Sequence, residues 1–233
     1  MLTSLDSSIL AIIPVRNEEE TITQVIHSLQ NVGIDRIRVI DNGSCDRTAI
    51  FALKTGVEVL SESEPGYGRA CWRGLQSLPS DIDWILFCDG DGSDDLSQIP
   101  DIVQYCSDFD FILGDRTSTT AGRKVLTPVQ QFGNRLATQL IQWGWGYPYQ
   151  DLGPLRLIRR SALEAMQMQD RGFGWTLEMQ VKAIEQQLRI REIPVRYFSR
   201  QGGKSKISGT LSGSFQAGII IMFTLAKLYL QKR

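Results

Sequence analysis

Histidine and cysteine, which often supply general bases, thiolates and transition-metal ligands, are scarce in this chain of 233 residues. The one histidine, His27, lies in a predicted helix with no motif around it and is expected to be structural or on the surface. The four cysteines have neither metal-binding nor disulfide spacing, so a reduced state in the cytosol is expected. No basic stretch followed by an apolar core begins the chain, and secretion is not expected.

Long hydrophobic runs are also missing. The longest, from Ala217 to Leu230, covers 14 residues and includes Lys227, which is too short to cross a bilayer comfortably. Two interpretations stay open for this run: a helix that lies at a membrane interface, and a helix buried in the core.

Charge is unevenly distributed, although the net charge is −1. Residues 1–101 carry 17 acidic and 7 basic side chains, whereas residues 189–233 carry 9 basic side chains and one acidic side chain, Glu192. The basic C-terminal part predicts an anionic partner, either a phosphate group or a membrane surface. Because no nucleic-acid-binding motif accompanies these charges, nucleic acid is not expected as a partner.

Apolar, β-rich runs alternate with helical patterns along the chain. This alternation predicts an α/β fold with a mostly parallel central sheet and helices on both faces. We expect one domain over residues 1–209, followed by a helical, membrane-associating extension over residues 210–233. The predicted strands are 9–15, 36–41, 57–60, 84–89, 109–113, 155–158 and 190–196, and the predicted helices are 18–30, one from 46, 67–78, 96–106, 129–142, 176–187 and 208–230.

The most informative segment is an apolar run that ends in Asp89-Gly90-Asp91-Gly92-Ser93-Asp94-Asp95. As a buried strand, the run delivers Asp89 and Asp91 to the carboxyl end of the sheet, where open α/β sheets bind ligands. Two carboxylates at this spacing repel each other unless a cation lies between them and a partner. Oxygen ligands suit Mg²⁺ or Mn²⁺, which bind substrate phosphates. The segment therefore predicts a metal-bridged phosphate substrate, with a nucleotide favoured.

Three other interpretations of this segment compete with the metal site. A merely solvated acidic loop is common after a strand. An EF-hand calcium loop needs Gly at its sixth position and Glu at its twelfth, where the chain has Asp94 and Pro100, so it is excluded. The segment is also similar to the nucleophile motif of haloacid-dehalogenase-type phosphatases, with Asp89 as nucleophile and Asp91 as acid/base.

Three further motifs precede this segment at predicted strand ends: Pro14-Val15-Arg16-Asn17-Glu18, Asp41-Asn42-Gly43-Ser44-Cys45-Asp46-Arg47-Thr48, and Gly66-Tyr67-Gly68-Arg69-Ala70. In this order the four motifs resemble the family 2 glycosyltransferases of the GT-A fold, especially the polyprenyl-phosphate branch, which is similar to dolichyl-phosphate mannosyltransferase. The similarity extends from about Ile9 to Gly209. One departure is Ser93, because the family often carries Gln two positions after the second Asp.

The resemblance implies roles for individual residues. The base and ribose pocket of the nucleotide would be lined by Pro14, Arg16, Asn17, Glu18 and Asp41. Gly68 and Arg69 would approach the donor. The divalent metal, Mg²⁺ or Mn²⁺, would be bound by Asp89 and Asp91. Phosphate groups would be met by Arg116 and Arg135 on the acceptor side and by Arg200 and Lys204 on the donor diphosphate.

The resemblance also implies an activity: inverting transfer of a hexose from a GDP- or UDP-linked donor to a polyprenyl phosphate, at the cytoplasmic face of a membrane. An anionic phosphate oxygen needs no general base, whereas attack by a sugar hydroxyl could use Asp115, Asp151 or Glu178. Transfer to a carbohydrate hydroxyl, an Asp-nucleophile phosphatase and a non-catalytic nucleotide-sugar-binding module stay open as alternatives.

Overall fold

The computed structural model describes residues 8–202 and 211–232, and in the second range side chains are described from residue 221 onward. Lys204 and the domain boundary predicted at Gly209 lie outside the described residues.

Seven strands form one mixed sheet in the order β3-β2-β1-β4-β6-β5-β7. The first four strands of that order are parallel, and β5 is parallel to β7. Among the described strands, β6 alone runs antiparallel to its neighbours, β4 and β5. The predicted mostly parallel sheet is confirmed. Its strands are β1 (Ile9–Val15), β2 (Ile37–Asp41), β3 (Glu58–Ser61), β4 (Trp84–Phe87), β5 (Phe111–Asp115), β6 (Arg156–Arg159) and β7 (Ile190–Pro194).

Helices cover both faces of the sheet, as predicted. The described helices are α1 (Ile22–Asn31), α2 (Thr48–Lys54), α3 (Tyr67–Gly74), α4 (Ile99–Val103), α5 (Thr120–Val125), α6 (Pro128–Trp145), α7 (Arg160–Met166), α8 (Trp175–Glu185) and α9 (Leu211–Gln231). Side chains of β1 alternate between the two layers: Ile12 packs with α3 and α8, whereas Ile13 packs with α1 and α4. A strand that is buried on both faces is the apolar run expected of a parallel sheet.

Predicted and observed elements differ where local sequence signals are weak. The helices α5 and α7 are not among the predicted elements. The helix predicted over 96–106 is a short 3₁₀ turn, Leu96–Gln98, followed by α4. Pro100 lies in the first turn of α4, the position where a fixed φ and a missing N–H are tolerated.

The C-terminal helix α9 packs against α6 and α8. Leu225 and Leu228 are buried, and the ring of Tyr229 meets that of Trp145 edge-on with centroids 5.8 Å apart. The inner face of α9 is therefore part of the core. Of the helices in the described ranges, none combines the length and apolar character that crossing a bilayer requires.

The structure locates the one histidine and the four cysteines. His27 is exposed on α1, with Nδ1 at 3.0 Å from Gln30 Oε1. The cysteines are all among the described residues and none forms a disulfide; Cys45 is exposed and the other three are buried.

Candidate active site

The carboxyl ends of β1, β2 and β4 lie side by side because these strands are parallel neighbours. Asp41 ends β2 opposite Val15, and Asp89 follows shortly after β4. The antiparallel strand β6 begins at the same edge, since Arg156 pairs with Phe87. The turn that leads into β6 therefore lies beside the acidic segment, although the two are far apart in the sequence.

The acidic loop, residues 89–95, is held in shape by its own side chains. The Asp89 N–H donates to Asp94 Oδ2 at 3.1 Å, and the Ser93 N–H donates to Asp91 Oδ1 at 3.0 Å. The Ser93 hydroxyl also donates to Asp91 Oδ1, at 2.5 Å. The turn is preformed by these bonds, so its carboxylates need little reorganisation to receive a ligand.

Negative charge in the acidic loop is incompletely compensated. Burial raises the pKa of Asp89 well above its ordinary value, and the carboxylates of Asp94 and Asp91 raise it further, against the opposing effect of Arg116 and Arg200. Burial also raises the pKa of Asp94 to about 7. A bound cation would relieve this repulsion, so the electrostatics of the loop favour a metal ligand.

The donor set of the loop fits a hard divalent cation. Its charged groups are carboxylates, which Mg²⁺ and Mn²⁺ prefer. Asp94 Oδ1 is buried and has no hydrogen-bond partner among the described residues. Nowhere in residues 8–202 and 211–232 do three acidic, histidine or cysteine groups converge as a complete metal cage. Mg²⁺ is commonly held by one or two carboxylates together with substrate phosphates and waters, so an incomplete protein ligand set suits a metal that bridges to substrate.

A later part of the chain, residues 197–202, lies along the acidic loop. Tyr197 forms an antiparallel bridge with Asp94, and the Gln201 N–H donates to the Asp91 carbonyl at 3.1 Å. These backbone contacts fix residues 197–202 directly beside the carboxylates.

Arg200 lies between Asp91 and Glu18. Its Nη1 is 3.1 Å from Asp91 Oδ2, and its Nη2 forms an ion pair with Glu18. The Nε–H donates to the Gly202 carbonyl at 2.7 Å. The structure thus places this predicted donor-binding arginine next to the predicted metal ligands.

The residues predicted for the base and ribose pocket converge at the ends of β1 and β2. Asn17, with a left-handed φ of 55° that asparagine tolerates, accepts from the Cys45 N–H through Oδ1 at 2.8 Å. The Ser44 N–H donates to Asp41 Oδ1 at 3.1 Å, and the Ser44 hydroxyl accepts from the Asn17 N–H. Arg16 is exposed beside them. This edge brings together Pro14, Arg16, Asn17, Glu18 and Asp41.

Asn42 ties the same edge to the glycine pair. Its Nδ2 donates to the carbonyls of Glu62 and Glu64 at 3.0 and 2.7 Å, and its Oδ1 accepts from the Gly66 N–H at 2.9 Å. A carboxylate could accept but not donate, so an amide suits this position better than the Asp that is commoner in the resembling family.

Gly68 is covered by the backbone of residues 170–172. The Gly68 N–H donates to the Gly172 carbonyl and the Arg69 N–H to the Arg171 carbonyl, each at 2.9 Å. The Arg69 side chain pairs with Glu64 at 2.5 Å. The chain itself therefore makes a close approach at this glycine, and the predicted contact of Gly68 and Arg69 with the donor stays a prediction.

We expect Gly68→Ala to lower the free energy of unfolding by about 1–3 kcal/mol, because the new Cβ would lie 2.8–2.9 Å from backbone atoms of residues 170–172. Thermal unfolding measures the effect. Gly144→Ala is the control, since its Cβ would lie 3.6 Å from the nearest atom, on Tyr229. Equal unfolding temperatures for the two variants would contradict the close contact at Gly68.

Arg116 follows β5 and is engaged by Asp151. Its Nε and Nη2 donate to the two carboxylate oxygens at 2.8 and 2.9 Å, and its guanidinium lies 4.9 Å from the centroid of the Tyr197 ring. Arg135 is exposed on α6. The neighbouring Asn134 accepts through Oδ1 from the Leu152 N–H at 2.8 Å, so α6 is joined to the turn that holds Asp151.

The carboxylates considered as general bases all have donors around them. Asp115 accepts from Thr117 and Ser118, and Asp151 accepts from Arg116. Glu178 accepts from two backbone N–H groups, of residues 169 and 170, and pairs with a lysine of its own helix at 2.8 Å. These contacts give the three carboxylates structural roles. They favour an acceptor that needs no general base.

Two site residues were assigned no role by the sequence analysis. Asp94 lies in the acidic run, but nothing in the spacing indicates that its second oxygen would be left without a partner. Arg156 is buried, and its guanidinium donates to the Gly153 and Thr176 carbonyls at 2.8 and 2.7 Å. Burial lowers the pKa of Arg156 to about 10.

Glu192, on β7, supports the turn before β6. The N–H groups of Gln150 and Asp151 donate to its Oε1 at 2.9 and 3.2 Å. Burial raises the pKa of Glu192 from 4.5 to about 7, so the folded chain holds this proton more tightly than the unfolded chain does. The free energy of unfolding should therefore fall as the pH rises from 4.5 to about 7.

Glu192→Gln keeps the acceptor oxygen but cannot ionise. Relative to wild type, we expect it to gain on the order of 1 kcal/mol between about pH 5 and about pH 8, a figure reduced for partial exposure. Unfolding temperatures at both pH values measure this, and the difference between the two proteins should widen by roughly 2–4 °C. A difference that does not change with pH would contradict the raised pKa.

The comparisons with known proteins agree with the geometry of the site. The family model described as Glycosyl transferase family 2 matches residues 10–166. A functionally uncharacterised glycosyltransferase of Mycobacterium tuberculosis (strain ATCC 25618 / H37Rv) is 34% identical over 215 residues, which cover 90% of this chain and 94% of the relative. An undecaprenyl-phosphate mannosyltransferase of Micrococcus luteus is 27% identical over 225 residues, covering 88% of this chain and 89% of the relative.

Among solved structures, glucosyl-3-phosphoglycerate synthase from Mycobacterium tuberculosis, in complex with phosphoglyceric acid, is similar with a TM-score of 0.74. The match covers 94% of this chain and 80% of that chain at 20% identity, and it supports the fold alone. With the sheet described above, it confirms the predicted GT-A type of fold. The chain belongs to glycosyl transferase family 2.

Proposed function

We propose that the chain is a metal-dependent, inverting glycosyltransferase that moves a hexose from a nucleotide-diphosphate sugar to a polyprenyl phosphate. The observation that carries the proposal is the preformed acidic loop at the edge of the sheet, where the charge of Asp89 is incompletely compensated and Arg200 lies beside Asp91. Family membership favours transfer over the phosphatase alternative. Measuring turnover distinguishes transfer from the alternative in which the chain only binds a nucleotide sugar.

On the donor side, Asp89 and Asp91 would hold Mg²⁺ or Mn²⁺, which when bound neutralises charge that develops on the departing nucleoside diphosphate. A solved structure of glucosyl-3-phosphoglycerate synthase, 21% identical to this chain, contains Mn²⁺ with UDP-glucose, which supports such a cofactor. Arg200, 3.1 Å from Asp91, brings a second positive charge to the same place. The base and ribose would be held by Pro14, Arg16, Asn17, Glu18 and Asp41.

On the acceptor side, a phosphate is the nucleophile that suits this chain. Its oxygen is already anionic at neutral pH, and the carboxylates near the site are engaged by other donors. Arg116 and Arg135 would steer it, with Arg116 held in place by Asp151. The name of the Micrococcus luteus relative supports a polyprenyl phosphate. Transfer to a small phosphorylated acceptor is the second candidate, favoured by the solved structure that contains phosphoglyceric acid.

A lipid acceptor calls for a membrane-facing surface, and α6 and α9 offer one. Their axes are aligned: a Cβ on Gly133 would lie 3.9 Å from Ile221, and Trp145 meets Tyr229 further along both helices. Neither helix contains Asp or Glu. Large apolar side chains stay exposed along the pair, which we call the α6–α9 apolar face: Val129, Phe132, Trp143, Met222, Phe223, Tyr229 and Leu230.

This composition supports peripheral association with an anionic membrane. Phe132 and Phe223 are 69% and 72% exposed, and Arg135 and Lys227 supply exposed positive charge on the same two helices. The cytoplasmic location remains part of the proposal.

Replacing both Phe132 and Phe223 with Ser is expected to weaken binding to phosphatidylglycerol vesicles by at least about tenfold, because each buried Phe contributes about 1.5–3 kcal/mol. Vesicle co-sedimentation measures it. The control replaces Ile50 and Leu53 of α2, which are 52% and 58% exposed on the other layer, and should bind as wild type. If the control loses as much binding, the α6–α9 apolar face is not the docking surface.

The proposed activity is tested with Mn²⁺ and a panel of GDP- and UDP-sugars, with polyprenyl phosphate, 3-phosphoglycerate or no acceptor. Nucleoside diphosphate release that depends on polyprenyl phosphate supports the proposal. Release that depends on 3-phosphoglycerate supports the second candidate. Donor binding without release in any arm, or phosphate release from a phosphomonoester, contradicts both.

A further inference from the structure

Asp94 combines a bonded oxygen with an unbonded one. Its Oδ2 accepts from the Asp89 N–H at 3.1 Å, whereas Oδ1 is buried and has no hydrogen-bond partner among the described residues. The residue is 7% exposed, so bulk water does not solvate this oxygen. A buried carboxylate oxygen left without a donor costs about 1–3 kcal/mol or more, because the group loses its hydration without replacement.

The neighbouring Asp95 shows that this arrangement is specific to Asp94. Asp95 is 8% exposed, nearly the same, yet its Oδ1 accepts from the Ser97 N–H at 3.2 Å and its Oδ2 pairs with Arg196 at 2.7 Å. Two adjacent carboxylates in one loop thus have nearly the same burial. Both oxygens of Asp95 have partners, whereas Oδ1 of Asp94 has none among the described residues.

Among the described residues, Oδ1 of Asp94 receives no bond from Arg116, the charged group with the largest effect on Asp94, whose Nε and Nη2 donate to Asp151. Among charged neighbours, Asp94 has the largest effect on the carboxylate of Asp89, so the two groups lie close together. Ser93 cannot supply the bond, because its hydroxyl donates to Asp91 at 2.5 Å. Arg200 is likewise committed to Asp91 and Glu18.

Direct ligation by Asp94 does not fit the structure. One of its oxygens is bound to the Asp89 backbone, and the described residues contain no convergent set of three carboxylate, imidazole or thiol groups. Mg²⁺ keeps several water ligands, and each such water is a strong hydrogen-bond donor. An acceptor just beyond the ligand shell therefore meets the needs of both the cation and the orphan oxygen.

We propose that Asp94 is a positioning residue for the cation: Oδ2 fixes the backbone of Asp89, and Oδ1 accepts a hydrogen bond from a water molecule bound to the metal. This role rests on the proposed function, since it presupposes a divalent cation at Asp89 and Asp91. It adds a third acidic residue to the site, one that the strand-edge motif does not indicate.

Asp94→Asn separates this role from simple loop closure. The amide oxygen can still accept from the Asp89 N–H, so the loop keeps its shape. The amide NH₂ then occupies the place of Oδ1 and is a donor, which opposes a donating water. Asp95→Asn is the matched control, because it removes the same charge from the same loop at equal burial.

The experiment measures UDP and GDP affinity by calorimetry for the full chain, in Mn²⁺ and in EDTA, and takes the ratio as the metal effect. Asp94→Asn is expected to reduce that ratio by about tenfold or more, in the range typical of groups just outside a metal's ligand shell. Asp95→Asn should stay within about threefold, and Asp89→Asn should remove the metal effect. Asp94→Asn with the same ratio as Asp95→Asn would overturn the role of Asp94.

Two further results distinguish the failure of this inference from failure of the proposed function. If wild type shows no metal effect, or Asp89→Asn keeps it, the metal site itself is wrong. Proton ENDOR of Mn²⁺ bound to wild type with the nucleotide gives a test that depends on no variant. Strongly coupled exchangeable protons are expected from bound water, and their absence would overturn the proposal.

Discussion

Asp89→Asn is expected to lower sugar transfer by at least about a hundredfold, the scale of losing one preorganised electrostatic group at a transition state. The variant keeps the size and shape of the side chain but removes a charge from the predicted metal site. Initial rates of nucleoside diphosphate release with saturating donor and Mn²⁺ measure the loss.

The same substitution is expected to raise the unfolding temperature of the protein without ligands. Burial, Asp94 and Asp91 raise the pKa of Asp89 well above 3.8, so ionising this group costs more in the folded chain than in the unfolded chain. As the pH rises above 3.8 the unfolded chain ionises this group before the folded chain does, so the group lowers the free energy of unfolding, and the neutral amide removes that penalty. Lost activity together with gained stability is typical of a functional site.

Asp101→Asn is the control for both measurements. Asp101 is exposed in the first turn of α4, away from the sheet edge, and its replacement should change the transfer rate little. Asp89→Asn with wild-type transfer would show that the acidic loop is not the catalytic metal site. A large fall in unfolding temperature would instead show that the Asp89 carboxylate stabilises the fold.

The sheet could be predicted from sequence because its strands are continuous apolar runs. The predicted bounds of β1 match Ile9–Val15, and Asp41 and Asp89 were placed at strand ends that the structure brings to the same edge of the sheet, on either side of β1. The orientation of β6 could not be predicted, since an apolar run does not indicate its direction. That orientation matters, because it places Arg156 opposite Phe87 and brings a distant turn to the site.

Partners of site residues were predicted less well than their positions. The family resemblance singled out Arg116, but its bond to Asp151 joins residues 35 positions apart, and no local pattern encodes it. Gly68 was predicted to approach a donor, which stays a prediction, and no sequence signal indicated that residues 170–172 of the same chain also lie against this glycine. Likewise, the orphan oxygen of Asp94 follows from which donors are already engaged, which only coordinates reveal.

Asp151→Ala is expected to lower the free energy of unfolding by about 3–5 kcal/mol, because it leaves the buried guanidinium of Arg116 without its partner. The two side chains are 12% and 1% exposed, and the pair joins β5 to the turn before β6. The unfolding temperature should fall by roughly 6–20 °C. Asp81→Ala removes an exposed pair with Arg36, whose side chain is 42% exposed, and should cost no more than about 1 kcal/mol.

Replacing both Arg116 and Asp151 with Leu separates stability from acceptor binding. No charge is then left buried and unpaired, so the double variant should unfold closer to wild type than Asp151→Ala does. Acceptor use should nevertheless be lost, since the guanidinium that would steer the phosphate is gone. Wild-type KM for the phosphorylated acceptor in a stable double variant would limit Arg116 to the fold, and the acceptor phosphate would then have to be steered by other cations, such as Arg135.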